Sequence, residues 1–153
     1  LLTCEGVVGP GVLTHSRPSG LTRRRRMGGV AAYILTLILA AFAAFGAPVQ
    51  PVFINIQHWD TGALAGGGCR EPERIECEIV VDEARFAMRS PHEQANIIAH
   101  EVGHVLGLEH ASCNPIPNAM GCGDGSWVTD YDRAKYRALV NPAHRAVMSI
   151  ARD

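Results

Sequence analysis

Residues 100–110 read HEVGHVLGLEH, and no other stretch limits the fold so tightly. His100 and His104 are four apart, so on a helix their rings leave the same side, about 40° apart in projection, and can share one ion. His110 follows six residues after His104 and on a continuous helix would face well away from that pair. For the three rings to meet, the helix must stop between them. Gly107 is the residue able to take the left-handed conformation that ends a helix and redirects the chain.

The segment before the motif carries a helix start. Ser90 with Glu93 three residues on forms a capping box, and Pro91 occupies the first helical position. The spacing predicts a helix from about 91 to 106 that buries Ala95, Ile98, Ala99, Val102 and Leu106. Upstream, VFINIQ (52–57) and RIECEIVVD (74–82) are strand-like, and Ile75, Cys77, Ile79 and Val81 alternate with Glu76 and Glu78 as one buried and one wet face require. The acids between Glu71 and Glu83 read as a solvated strand face. Between the strands, TGALAGGGCREPE reads as a flexible loop, and NPIPNAMGCGDGSW as irregular. Thr129, with Asp132 at the third position, can cap a last helix that Asn141-Pro142 ends. The expected class is α+β: a short mixed or antiparallel sheet over the histidine-bearing helix, an irregular region, and a C-terminal helix.

The N-terminal part has a different character. Arg23 to Arg26 precede an uncharged apolar run from Val30 to Phe45, and Ala44 and Gly46 are small residues placed for a cut before Ala47. This reads as an export signal, with an uncleaved membrane anchor and a buried helix as the alternatives. Residues 1–46 are therefore expected to be an N-terminal extension and 47–153 the folded domain, either secreted or anchored outside the cytoplasm. The first 46 residues hold five of the 14 basic residues and one of the 15 acidic ones, so residues 47–153 carry nine and fourteen, a net −5. Such a domain is not built to grip phosphates, which argues against nucleic acid as a partner. A membrane contact is expected only through the apolar segment. Beyond residue 46 stand four cysteines, Cys69, Cys77, Cys113 and Cys122. In an oxidising compartment they suggest two disulfides, and the local pairing, Cys69 with Cys77 and Cys113 with Cys122, closes two short loops.

Three neutral imidazoles, His100, His104 and His110, would hold a zinc ion and leave one tetrahedral position open, the arrangement of a reactive site. Zinc lowers the pKa of a bound water to around 7, and Glu101, beside the ligand face, can take its proton. His15, His58, His92 and His144 lack such company and read as ordinary surface or core histidines.

H-E-x-x-H-x-x-G-x-x-H followed by a methionine turn is the signature of the metzincin zinc peptidases, and residues 100–110 resemble it at every fixed position. Met120, in PNAMGCG, looks like the methionine of that turn, a packing element beneath the ligands; Met148 is the weaker candidate. The order of motif, loop, Met-turn and closing helix resembles the matrixin branch and its small bacterial relatives. The resemblance implies a zinc endopeptidase with Glu101 as general base and a protein or peptide as substrate. Cys122 stands where astacin-like members carry a tyrosine, so no tyrosine assistance is implied. A gluzincin-type site would need a downstream glutamate ligand, and no glutamate follows Glu109. From a different class, a zinc-binding module without turnover fits the short distance from Ala47 to His100.

Overall fold

The computed structural model describes residues 27–58, 63–70, 76–111, 118–121 and 126–141. Their elements are α1 (Met27–Phe45), β1 (Val52–Gln57), β2 (Ala65–Cys69), β3 (Cys77–Asp82), α2 (Glu83–Ala87), α3 (Pro91–Val105) and α4 (Asp130–Val140). The strands form one mixed sheet in the order β1-β3-β2, with β1 parallel and β2 antiparallel to β3. The class is α+β. β1 matches the expected span, and in β3 Cys77, Ile79 and Val81 are buried while Glu78 is exposed.

The glycine-rich segment departs from expectation. Ala65–Cys69 is a strand, not a loop. Three consecutive glycines have low strand propensity, which hides the element from a reading of the residues alone. Tertiary partners hold it instead. Cys69 stands opposite Cys77 in the ladder and is joined to it by a disulfide, and Arg70 N–H donates to Glu76 O at 3.0 Å one step further on. Closing a loop of eight residues' separation restricts the unfolded chain by about 2.5 kcal/mol. The expected Cys113–Cys122 pair lies outside the described residues, as do Met148, His15 and His144.

Asp82 also departs from expectation. It belongs to the acidic run read as a wet strand face, yet it is fully buried. Its Oδ1 accepts the Arg85 N–H at 3.0 Å as N-cap of α2, a short helix that starts directly at the end of β3, and its Oδ2 lies 3.3 Å from His58 Nδ1. Capping at the strand end, not alternation, decides its environment. His58 thus has a polar partner near the sheet, and His92 is exposed, 3.4 Å from Asn96 Nδ2.

The apolar run expected to lie outside the folded domain forms α1, and α1 packs against α3, with further contacts to α4 and β1. Ile34, Ile38, Ala41, Phe42 and Phe45 are buried in the same core cluster as Ile98, Val102 and Ile79. Their spacing of four, three, one and three residues is that of one helical face, and that face packs onto the rest of the core. Phe45 meets Tyr136 of α4 edge to face at 6.5 Å, and Arg133 Nη1 donates to Ala44 O at 3.4 Å. Among the described residues no helix is long and apolar enough to cross a membrane. α1 and α3 share the inner side of the sheet, with α3 over β2 and β3.

Candidate metal centre

The capping box that starts α3 forms as the residues require. Glu93 N–H donates to Ser90 Oγ at 3.3 Å, and Ser90 N–H donates to Glu93 Oε2 at 2.8 Å. The helix then runs to Val105, with Leu106 as C-cap. Gly107 takes φ +87°, and the turn closes with Gly107 N–H to His104 O and Leu108 N–H to Gly103 O, both 2.9 Å. This pair of bonds is a Schellman motif, and it makes the reversal between His104 and His110 a fixed feature of the backbone. Ile98, Ala99, Val102 and Leu106 are buried as expected, and Ala95 is half-buried.

The reversal brings the three rings together. His100 Nε2 lies 3.0 Å from His110 Nε2, and His104 Nε2 lies 3.1 Å from each of the other two. The opposite nitrogens of the helical pair face backbone carbonyls: His100 Nδ1 is 2.7 Å from Ala119 O, and His104 Nδ1 is 3.0 Å from Leu108 O. A carbonyl oxygen only accepts, so each Nδ1 carries the proton and, in the neutral ring, each Nε2 carries the lone pair. Lone pairs this close repel unless a cation lies between them. The triangle is thus a ligand set, and the three histidines are positioned to hold a metal ion.

Burial holds His104 down to about 4, with the neighbouring His100 and His110 adding to the shift and the Leu108 carbonyl opposing it. Burial also lowers His100, against the pull of the Ala119 carbonyl and of Asp132. Both rings are therefore neutral and able to ligate at pH 7. A tetrahedral zinc with bonds of about 2.0–2.1 Å needs nitrogens about 3.3–3.4 Å apart, so the observed triangle fits after a few tenths of an ångström of movement. A face of an octahedral ion, with bonds of about 2.1–2.2 Å, needs about 3.0–3.1 Å. The triangle accommodates either, and identifies a metal site more firmly than it identifies the metal.

Glu101 is buried on the adjoining side of α3. Burial pushes its carboxyl up to about 7, and the Gly67 N–H, which donates to it, pulls the other way. Met120 is 2% exposed, and its sulfur lies where a Cβ on Gly103 would sit, on the turn of α3 between His100 and His104. The residues around it are tied down on both sides. Ala111 N–H donates to Met120 O at 2.8 Å, and Ala119 N–H donates to Asp132 Oδ2 at 2.9 Å. The same oxygen takes the Thr129 N–H and hydroxyl, each at 2.8 Å, so the cap of α4 and the Met120 turn share one buried carboxylate.

The structure thus brings His100, His104 and His110 together, buries Glu101 next in sequence to the first of them, and sets Met120 against Gly103 of the same helix. Two contributors escaped the reading of the residues. Asp132 was visible only as a cap partner, although it also holds the loop that aims His100. Gly67 lies in a stretch whose composition reads as a loop, although a glycine inside a strand often marks close backbone approach. In comparison with known proteins, no family model, no curated protein and no solved structure matches the chain.

Proposed function

We propose that the chain is a zinc-dependent endopeptidase of the metzincin type, matrixin-like, acting on protein or peptide substrates. The observation that carries the reading is the Nε2 triangle of His100, His104 and His110 with a buried glutamate next in sequence to its first member. When bound, zinc would supply Lewis acidity and a water of lowered pKa. Glu101 takes the proton of the attacking water and returns it to the leaving amine. In the metal-free site burial raises the Glu101 carboxyl, and a carboxylate of raised basicity takes up a proton more readily. His100 and His104 stay neutral for this work through burial and their carbonyl partners. Met120 acts through packing, as a floor under the helical ligands. The Cys69–Cys77 disulfide supports an oxidising compartment and hence export, while the packing of α1 favours an N-terminal helix that stays with the domain.

Glu101→Gln tests this reading. The variant keeps about one zinc per chain, since Glu101 is not a ligand, and its hydrolysis of casein falls by about 10²- to 10⁴-fold. A chelator abolishes wild-type activity and added zinc restores it. A folded, zinc-loaded wild type that cleaves nothing in a broad peptide library would establish the alternative, a zinc-binding module without turnover.

A further inference from the structure

Each glycine inside a strand costs about 0.5–1 kcal/mol relative to alanine, so the Gly66-Gly67-Gly68 run in β2 calls for a reason. Gly67 and Gly68 differ sharply in what surrounds them. A Cβ on Gly68 would meet nothing within 4 Å, whereas one on Gly67 would sit 2.7 Å from the Glu101 carbonyl oxygen and 2.9 Å from Glu101 Cβ. The edge strand therefore lies with its backbone directly on α3, and it does so at the glutamate. From there the Gly67 N–H donates to the Glu101 carboxylate. Any side chain at 67 would lift the strand off the helix and withdraw that donor.

We propose that Gly67 is the positioning residue of the general base: its missing side chain sets the approach of β2 to α3, and its amide fixes one oxygen of the Glu101 carboxylate so that the other is aimed for proton transfer. This role rests on the peptidase reading. It also explains why a strand this poor in propensity is retained beside the motif, held in place by the Cys69–Cys77 bridge at its end.

The experiment uses the full chain in four forms besides wild type: Gly67→Ala, Gly68→Ala, Glu101→Gln and the Gly67→Ala/Glu101→Gln double variant. Zinc per chain, kcat and KM on a fluorogenic peptide are measured for each. Gly68→Ala makes the same chemical change in open space and stays within about twofold of wild type. Gly67→Ala keeps its zinc and its KM but loses about 10- to 100-fold in kcat, as a displaced catalytic group does. In the Glu101→Gln background the same change costs less than about twofold, because its target is already gone. An equal loss in both backgrounds overturns the role, as does a Gly67→Ala rate equal to that of wild type. Should Gly67→Ala not fold, the amide proton of Gly67 serves instead: it moves upfield on Glu101→Gln while that of Gly68 does not, and an unmoved Gly67 resonance overturns the proposal. A folded, zinc-loaded wild type without hydrolysis removes the peptidase reading and this role together, while an active wild type matched by Gly67→Ala removes the role alone.

Discussion

His100 Nδ1 lies 2.7 Å from the carbonyl oxygen of Ala119, 19 residues further along the chain, so the first ligand of the triangle is aimed by the loop that carries Met120. That loop is in turn held by Asp132 through the Ala119 N–H. A chain of two hydrogen bonds connects the N-terminus of α4 to the metal site.

Asp132→Ala breaks that connection. The side chain is 1% exposed, and its Oδ2 takes three donors. Removing a buried charged acceptor and stranding its donors costs about 3 kcal/mol, and loosening an outer partner of a ligand weakens zinc binding by about 10- to 100-fold. Urea denaturation and a competitive zinc titration measure the two effects. Lost stability with unchanged zinc affinity would show that the Ala119 carbonyl does not aim the ring.

At Gly103 two effects oppose each other. Alanine there gains about 1 kcal/mol in helix propensity, but its Cβ runs into the buried Met120 sulfur, and overpacking of this kind costs about 1–3 kcal/mol. The expected net result is a lower melting temperature together with weaker zinc binding, since the displaced methionine presses between the two helical ligands. A higher melting temperature in the calorimeter would mean that Met120 has room to move.

His110→Ala separates the ligand from the fold. His110 is exposed and follows the helix stop at Gly107, so circular dichroism should show unchanged helix content. Zinc per chain after dialysis should fall well below one, because two nitrogens and water hold the ion poorly. Full zinc retention would point to another residue completing the site.

The pH dependence of the metal-free protein contains two opposed contributions. His104 titrates near 6.5 unfolded and near 4 folded, so below pH 6.5 the unfolded chain binds the extra proton and stability is lost as the pH falls towards 4. His100, also lowered, acts in the same sense. Glu101 is the reverse: raised from 4.5 to about 7, it favours the folded state increasingly as the pH falls through 7 towards 4.5. The wild type should therefore show a shallow stability profile between pH 7 and 4.5, while Glu101→Gln, with only the histidines left, should lose stability steeply towards acid. Urea midpoints across that range decide the matter, and parallel profiles for the two proteins would mean that the opposed titrations are not both present.

The parts legible in the residues are those governed by local chemistry. The Ser90–Glu93 box, the stop at Gly107 and the partnership of Thr129 with Asp132 are short-range devices, and each is where the residues place it. The triangle was legible because helical spacing plus a compulsory turn leaves its ligands few arrangements. β2 was not, since its order comes from a ladder partner, a disulfide and a helix 30 or more residues away, while its own composition argues for a loop. α1 was ambiguous for a related reason: an uncharged apolar helix suits a membrane, an export channel and a protein core equally well, and only packing partners distinguish them.

Five of the twenty buried apolar residues described belong to α1. Its four large ones, Ile34, Ile38, Phe42 and Phe45, contribute about 1.5–3 kcal/mol each, a total comparable with the whole stability of about 5–15 kcal/mol typical of a domain. A nick between Gly46 and Ala47 followed by loss of the helix would leave the motif-bearing helix with its apolar flank wet. The footing of the metal site is thus laid partly by a helix that ends at Phe45, far before the motif in sequence.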